Sequence, residues 1–332
     1  MKISSIVDII DGSLLNSPSI SFIYSIKTNV RKIKEGDLFI AKNSDDIELA
    51  IKNGAFAIII EKNLPIIDNE IAWIKVEDIN LAVIKLVRFK LAVKNIKAYY
   101  CENSTYALLK IFSNYFEKNV KLIPYKLENI FKYLDDIDDG FTLISSNKNI
   151  LEKIYPTFID FEKEIKKENI SNLIEHSLFE TTFSYKELFF SRMKMSSLYI
   201  LDFIKVFNFI NKDLDLAKLK SFQNFKPIFL DKSLHITESG KSDKFIICQD
   251  NKELIKNEIS YIKEKYKYAK TLFISSFKPD FLSKEEYIQM SNIEDLKPIL
   301  KKEKFNCVYI IGFNHKDIFE YFTKTENSNS LF

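Results

Sequence analysis

Glycine is scarce in this chain, which constrains how it could bind a nucleotide. Only six of 332 residues are glycine: Gly12, Gly36, Gly54, Gly140, Gly240 and Gly312. No two of them are close enough to form a glycine-rich loop. Such loops bring backbone N–H groups near phosphates because glycine has no Cβ in the way. The chain therefore lacks a common phosphate-binding device.

Composition indicates a folded protein of two or three domains. A chain of 332 residues that is 46% hydrophobic, with 29 phenylalanines, can bury several cores and is not disordered. Lysine, isoleucine, phenylalanine and asparagine are abundant throughout, which favours an AT-rich bacterial genome as the source. A single lysine is correspondingly weak evidence for a function.

Charge, cysteine content and hydropathy exclude several classes of protein. The 49 basic and 46 acidic residues give a net charge of +3, so we expect no nucleic-acid partner. Three widely spaced cysteines form neither a CxxC pair nor a disulfide framework. No apolar run approaches the roughly 20 residues of a membrane span, and the start does not resemble a signal peptide. We expect a soluble, cytoplasmic protein without a membrane span.

Hydrophobic periodicity predicts an α/β fold along the whole chain. Strand and helix patterns alternate over residues 1–92 and continue from Asn95, where strand, helix and strand at short spacing imply parallel pairing. Asn103 or Ser104 is the expected N-cap of the helix that follows. Further elements are a 3.6-residue pattern in KLENIFKYL, a polar interruption over 162–172, a hairpin over 179–190, a helix over 196–211 and a strand pair, IFLDKSLHI and KFIICQ.

Three segments of the first hundred residues carry a family resemblance. They are Asn29–Ala41 (NVRKIKEGDLFIA), Ala50–Glu61 (AIKNGAFAIIIE) and Val76–Val83 (VEDINLAV). In order and spacing they are similar to the motifs D-S-R-x-[VI]-x-P-G-D-[LV]-F-[VF]-A, A-[IL]-x-x-G-A-x-A-[VI]-[VI]-[VI]-E and V-x-D-x-x-x-A-[LV] of the Mur ligases. The resemblance is nearest to the branch that adds D-alanyl-D-alanine during peptidoglycan synthesis.

The resemblance implies a three-region architecture. It consists of a uridine-nucleotide-binding-like domain over 1–93, a shortened, degenerate ATPase-like domain with a parallel sheet over 94–222, and a Rossmann-like C-terminal domain over 223–332. In the family the first domain holds the uridine-diphosphate end of a UDP-muramoyl-peptide.

The same resemblance gives candidate substrate-binding residues: Asn29, Arg31, Gly36 and Asp37. Asn29, Val30 and Arg31 stand where the family has Asp-Ser-Arg, so any affinity for a UDP-sugar is expected to depend on Arg31. The family's D-G-H segment is reduced to Ser44-Asp45-Asp46. The alternative is that these motifs persist because they build the fold, with Gly36 in a turn and Gly54 at a helix end.

The next family element, the ATP-binding loop T-G-[ST]-x-G-K-T-[TS], is degenerate in this chain. The strand is followed by Glu102, Asn103, Ser104 and Thr105, with Thr105 at the lysine position. The family's loop gives backbone donors and a lysine to phosphates and a hydroxyl to Mg²⁺. Tyr106 occupies that hydroxyl position, and Glu102 would repel a triphosphate. We therefore expect no ATP binding, no catalytic residues and no metal.

Other motifs that could bind a ligand have a simpler structural explanation. The run from His235 to Ser242 ends in G-K-S but precedes a strand, so Gly240 is expected in a hairpin turn. The acidic run 135–140 is expected to be a solvated turn rather than a cation site. His176 is placed on the surface of a polar helix, and Asn251, with Asp250, is expected to cap the following helix.

Three functional hypotheses follow. The first is a non-catalytic protein related to cell-wall precursor synthesis, which binds a UDP-muramoyl-peptide or cell-wall synthesis proteins and needs no cofactor. The second is an active ATP-dependent ligase with Mg²⁺ and ATP at a rearranged site. The third is an unrelated interaction module on an inherited fold.

Overall fold

The computed structural model describes residues 1–161 and 169–329, with the backbone alone for 325–329. The chain divides into two compact units. The N-terminal unit comprises Met1–Cys101 and Phe116–Lys163, and the C-terminal unit comprises Glu102–Tyr115 and Glu164–Phe332. Within the described residues, no helix combines the length and apolarity needed to cross a bilayer.

The first sheet of the N-terminal unit has five strands in the order β1-β5-β4-β3-β2. The strands are β1 (Ser13–Leu14), β2 (Ile26–Lys27), β3 (Leu38–Ile40), β4 (Ala57–Ile60) and β5 (Ala72–Lys75). All neighbours pair in parallel except β1 with β5. The helices are α1 (Ile3–Ile10), α2 (Ile47–Lys52) and α3 (Ile79–Ala92). The predicted α/β character of residues 1–92 is confirmed.

Apolar side chains cover both faces of this sheet because parallel strands are normally buried on both sides. On one face Leu38 and Ile40 pack with α1 and α3 residues such as Ile6 and Leu86. On the other face Trp73 packs in a cluster around α2.

The second sheet of this unit has the order β7-β8-β6-β9 and is entirely parallel. Its elements are β6 (Lys97–Tyr100), β7 (Val120–Leu122), β8 (Thr142–Ser145), α5 (Lys148–Ile154) and β9 (Ile159–Asp160). The predicted parallel pairing is confirmed. The helix predicted for KLENIFKYL is two 3-10 helices, Leu127–Lys132 and Leu134–Asp136, rather than an α-helix.

The C-terminal unit begins with helices and an antiparallel sheet. Its elements are α4 (Asn103–Ile111), β10 (Ile170–Ser177), β11 (Glu180–Tyr185), β12 (Leu188–Met193) and α6 (Ile200–Ile210). The predicted hairpin over 179–190 is confirmed by the β11–β12 pair. The predicted helix around His176 is wrong, since His176 lies in strand β10. The predicted N-cap of α4 is also wrong, because Glu102 occupies that position. Most of the predicted polar interruption over 162–172 lies outside the described residues.

The second sheet of this unit has the order β13-β14-β17-β15-β16. Its elements are β13 (Pro227–Leu230), β14 (Lys244–Gln249), α7 (Lys252–Lys265), β15 (Thr271–Ser275), β16 (Tyr287–Gln289), α8 (Leu296–Lys302), β17 (Cys307–Ile311) and α9 (His315–Asn329). Only β13 runs antiparallel to its neighbour, as expected for the predicted strand pair. The predicted cap is confirmed, because the Asn251 side chain accepts a hydrogen bond from the Glu253 N–H.

Candidate functional site

The turn between β2 and β3 carries the residues that the sequence motifs single out. Asn29 caps the 3-10 helix Val30–Lys32, and its Oδ1 accepts a hydrogen bond from the Arg31 N–H at 3.0 Å. The Arg31 side chain is exposed. Asn29 therefore fixes the backbone of the turn.

Gly36 and Gly54 hold this turn against the end of α2. Gly36 has a φ of +90° and donates its N–H to the Gly54 carbonyl at 2.9 Å. A Cβ on Gly36 would lie 2.1 Å from a ring carbon of Tyr24. Only glycine tolerates both the left-handed backbone and this close approach. The predicted structural roles of both glycines, in a turn and after a helix end, agree with these contacts.

Asp37 is buried at the start of β3, with 4% of its surface exposed. One carboxylate oxygen accepts the Lys34 N–H at 3.0 Å. Burying a carboxylate costs free energy unless hydrogen bonds compensate it. Asp37 thus stabilises the turn, and it also lines a cavity.

This cavity, which we call the lysine cavity, has a volume of about 510 Å³ and lies within the N-terminal unit. One side is the segment Ser25–Asp37, including Asn29 and Asp37. The opposite side is the 3-10 helix that contains Glu128 and Lys132. The four lysines on its wall are Lys27, Lys32, Lys34 and Lys132. Arg31 is not among the lining residues.

The two carboxylates of the lysine cavity are already engaged. Asp37 bonds to its own turn, and Glu128 accepts Lys42 Nζ at 3.1 Å. Burial alone would raise the pKa of Glu128, but hydrogen bonds from its own backbone amide and from Lys42 outweigh burial and hold that pKa below its ordinary value. Glu128 is thereby a stable anion paired with a lysine outside the cavity.

The four lysines of the cavity pair with no carboxylate among the residues that the structure describes. Within the part of the chain that the structure describes, Lys32, Lys34 and Lys132 make no ion pair. Lys27 donates to Ser25 Oγ at 2.8 Å. The wall therefore presents an excess of positive charge to whatever enters, and its donors suit a phosphate or carboxylate group.

The residues of the degenerate loop are used for packing inside the C-terminal unit. Thr105 is fully buried and donates its hydroxyl to Asp202 Oδ1 on α6 at 3.0 Å. Ser104 is also buried, and Asn103 donates its side-chain amide to Glu253 on α7. Glu102 is exposed at the N-cap of α4, where a carboxylate is favoured by the helix dipole. These contacts hold α4 in place within the C-terminal unit.

The G-K-S run and the acidic run also make contacts within the fold. Gly240 has a φ of +86° in the turn between antiparallel β13 and β14, as predicted, and Lys241 pairs with Glu238 at 2.8 Å. In the acidic run, Asp135 pairs with Lys90 at 2.6 Å. Among the described residues, no cluster of three or more His, Cys, Asp or Glu side chains could hold a metal ion.

Sequence reasoning identified Asn29 and Asp37 but missed the lysines around them. Lys27, Lys32 and Lys34 lie within eight residues of one another in a loop, which was a usable signal. The general abundance of lysine masked that signal. Lys132 is about a hundred residues further along the chain, so only the fold brings it to the cavity.

Comparison with solved structures identifies the fold. The chain is similar to the MurF ligase from Thermotoga maritima in complex with ADP, with a TM-score of 0.52, 13% identity and coverage of 92% of this chain and 98% of that one. It is also similar to MurF from Acinetobacter baumannii, with a TM-score of 0.52, 12% identity and coverage of 97% and 98%. No family model and no curated protein matches the sequence. The architecture is that of the Mur ligases, as the sequence motifs predicted.

Proposed function

We propose that this protein is a non-catalytic member of the Mur ligase fold that binds a UDP-muramoyl-peptide in the lysine cavity. The observation that carries the proposal is the lysine cavity itself. It includes Asn29 and Asp37, two of the four candidate residues that the motif resemblance gives, and it holds three lysines that pair with no carboxylate in the described part of the chain. The protein acts by binding, near the machinery of cell-wall precursor synthesis.

Size and charge support a nucleotide-diphosphate sugar as the ligand. A volume of about 510 Å³ is within the usual range for small-molecule sites, roughly 300–1,000 Å³. A diphosphate offers several anionic oxygens, and lysine ammonium groups bind such oxygens as point charges. Lys32 and Lys34 come from one wall and Lys132 from the other, so they can contact a diphosphate from two sides.

The absence of turnover is proposed from the contacts of α4. An ATP-binding loop needs a free lysine and a free hydroxyl at the start of this helix. Thr105, at the lysine position, is buried against Asp202, and Glu102 places a negative charge at the N-cap. Binding of a triphosphate here would require breaking the Thr105–Asp202 hydrogen bond and placing phosphates beside a carboxylate.

The proposal is tested with a double variant, Lys32→Ala with Lys34→Ala, and with the control Lys62→Ala. Lys62 is an exposed lysine of the same unit that lies outside the cavity. Binding of UDP-N-acetylmuramoyl-tripeptide is measured by calorimetry. Each lost charge-assisted contact is expected to weaken binding about tenfold, which corresponds to about 1.4 kcal/mol.

Two results would contradict the proposal. If the double variant and the control bind equally well, the lysine cavity is not the site. If the unmodified protein releases ADP from Mg²⁺-ATP in the presence of the peptide substrate, it is a ligase and the assignment of a binding role is wrong. Arg31→Ala tests the contribution expected from the sequence motif, since that side chain is exposed and could contact a ligand that extends beyond the cavity.

A further inference from the structure

A second cavity, of about 370 Å³, lies wholly within the C-terminal unit. We call it the Phe179 cavity, after the residue in the turn between β10 and β11 that contributes to its wall. Much of the wall is apolar: Met195, Leu219, Phe222, Phe225 and Pro227 line it. The volume is near the lower end of the range for small-molecule sites. Its apolar part would favour a hydrocarbon or aromatic group.

Phe225, on this wall, has a strained backbone conformation. It has a φ of +58°, although a bulky side chain disfavours the left-handed region. Its ring is buried and packs 5.8 Å from the ring of Phe179 and 5.6 Å from that of Tyr261. Strain of this kind persists only where the surroundings over-determine it, and it is frequent at ligand sites. It also fixes the backbone that carries the next residue, Lys226.

Lys226 supplies a positive charge that no carboxylate of the described residues neutralises. It is half-buried, and its Nζ donates a hydrogen bond to the Lys220 carbonyl at 3.0 Å. An ammonium group has three donors. In the described part of the chain no carboxylate lies within ion-pair distance of Lys226. Burial lowers the pKa of this lysine.

The one carboxylate on the wall does not compensate Lys226. Glu180 accepts hydrogen bonds from Lys194 and, at 2.8 Å, from Arg192. The Lys194 hydrogen bond is the main reason that the pKa of Glu180 lies below its ordinary value. Glu180 is therefore already paired with two cations. An adjoining cavity differs in this respect, because its Lys265 pairs with Glu175 at 2.9 Å.

We propose that the Phe179 cavity binds a small ligand with a single carboxylate attached to an apolar group. The carboxylate would accept hydrogen bonds from Lys226 Nζ, and the apolar group would lie against Phe222 and Phe225. Two sources share this chemistry: a free aryl or alkyl acid, and the C-terminal residue of a peptide that ends in an apolar side chain.

The charge requirement is tested by calorimetry with three compounds of one skeleton: 4-phenylbutyrate, 4-phenylbutanol and 4-phenylbutylamine. The acid should bind at least about tenfold more tightly than the alcohol or the amine. Lys226→Met keeps the apolar stem and removes the charge, and it should abolish that preference. Lys256→Met, at an exposed position of α7, should leave it unchanged. Equal affinities for acid and amine, or an unaltered preference in Lys226→Met, would overturn the proposal.

A second variant tests the location without touching the core. Ser239 is exposed and lies on the rim of the Phe179 cavity, so Ser239→Trp should fill the entrance and prevent binding of the acid. Unchanged binding would overturn the assignment even if Lys226→Met failed to fold. N-acetyl-leucyl-phenylalanine and its amide then distinguish the source. A peptide acid that binds more tightly than 4-phenylbutyrate identifies a peptide C-terminus, and the reverse order identifies a free acid.

Discussion

Replacing Glu258 by glutamine is expected to remove the loss of stability with rising pH that this buried carboxylate causes in the C-terminal unit. Glu258 lies on α7 and is completely buried. Its carboxylate accepts hydrogen bonds from Tyr199, from Tyr309 at 2.6 Å and from Gln249 at 2.8 Å. Burial nevertheless dominates and raises the pKa of Glu258 from 4.5 to about 7.

The sign of the pH effect on stability follows from the raised pKa of Glu258. A raised pKa means that the folded state binds the proton more tightly than the unfolded state does. The contribution of Glu258 to stability is therefore fully present below about pH 4.5, and it is lost as the pH rises through about 7. At about 1.4 kcal/mol per pH unit, the loss is about 3 kcal/mol.

Glutamine is the appropriate replacement because it is neutral at every pH and close to glutamate in volume. Its carbonyl can still accept hydrogen bonds from Tyr199 and Gln249. We therefore expect the free energy of unfolding of Glu258→Gln, relative to the unmodified protein, to rise by about 3 kcal/mol between about pH 4.5 and about pH 8. Glu264→Gln, at an exposed position of the same helix, is the matched control and should show no such rise.

Amide hydrogen exchange read by mass spectrometry is the suitable assay. The single tryptophan, Trp73, lies in the N-terminal unit and does not report directly on α7. Comparing variant and unmodified protein at the same pH cancels the intrinsic exchange rate. The protection of α7 and β17 peptides in the variant, relative to the same peptides of the unmodified protein, should increase about a hundredfold between about pH 4.5 and about pH 8. If the ratio of exchange rates between the variant and the unmodified protein stays constant across the pH range, the pKa of Glu258 is not raised as we infer.

Two further predictions concern stability. Gly36→Ala should destabilise the N-terminal unit by about 2 kcal/mol more than Gly140→Ala, because both glycines have left-handed backbones but only Gly36 has a ring within 4 Å of the added Cβ. Urea unfolding followed by Trp73 fluorescence measures the difference, and equal losses would contradict it. Thr105→Val should lower the free energy of unfolding by about 1–2 kcal/mol, since Asp202 loses a buried donor. Unchanged thermal unfolding would show that this contact does not stabilise α4.

Much of the fold could be predicted from the sequence where burial gave a clear pattern. The strand AFAIIIE is apolar because β4 is buried along its whole length. The hydrophobic pattern did not predict β10, the strand that contains His176. Almost every residue of that edge strand is exposed, so no alternation of apolar and polar residues marks it. Its polar sequence is as compatible with a helix as with a strand.

The candidate site of the N-terminal unit was only partly predictable, for one physical reason. The lysine cavity joins Lys32 and Lys34 to Lys132 across a long sequence separation, which no local pattern records.

The buried carboxylate of Glu258 did leave a local signal in the sequence: it occupies an apolar-face position of α7 between Leu254 and Ile262. A carboxylate at such a position indicates either a buried network or a site, and the fold shows a network with two tyrosines and a glutamine.

Calorimetric titration with UDP-N-acetylmuramoyl-tripeptide tests whether this protein binds its ligand without turnover. The titration is performed with and without Mg²⁺-ATP on the unmodified protein. We expect binding that is the same in both conditions and that weakens as salt screens the lysine cavity. Tighter binding in the presence of Mg²⁺-ATP, or no binding in either condition, would contradict this expectation.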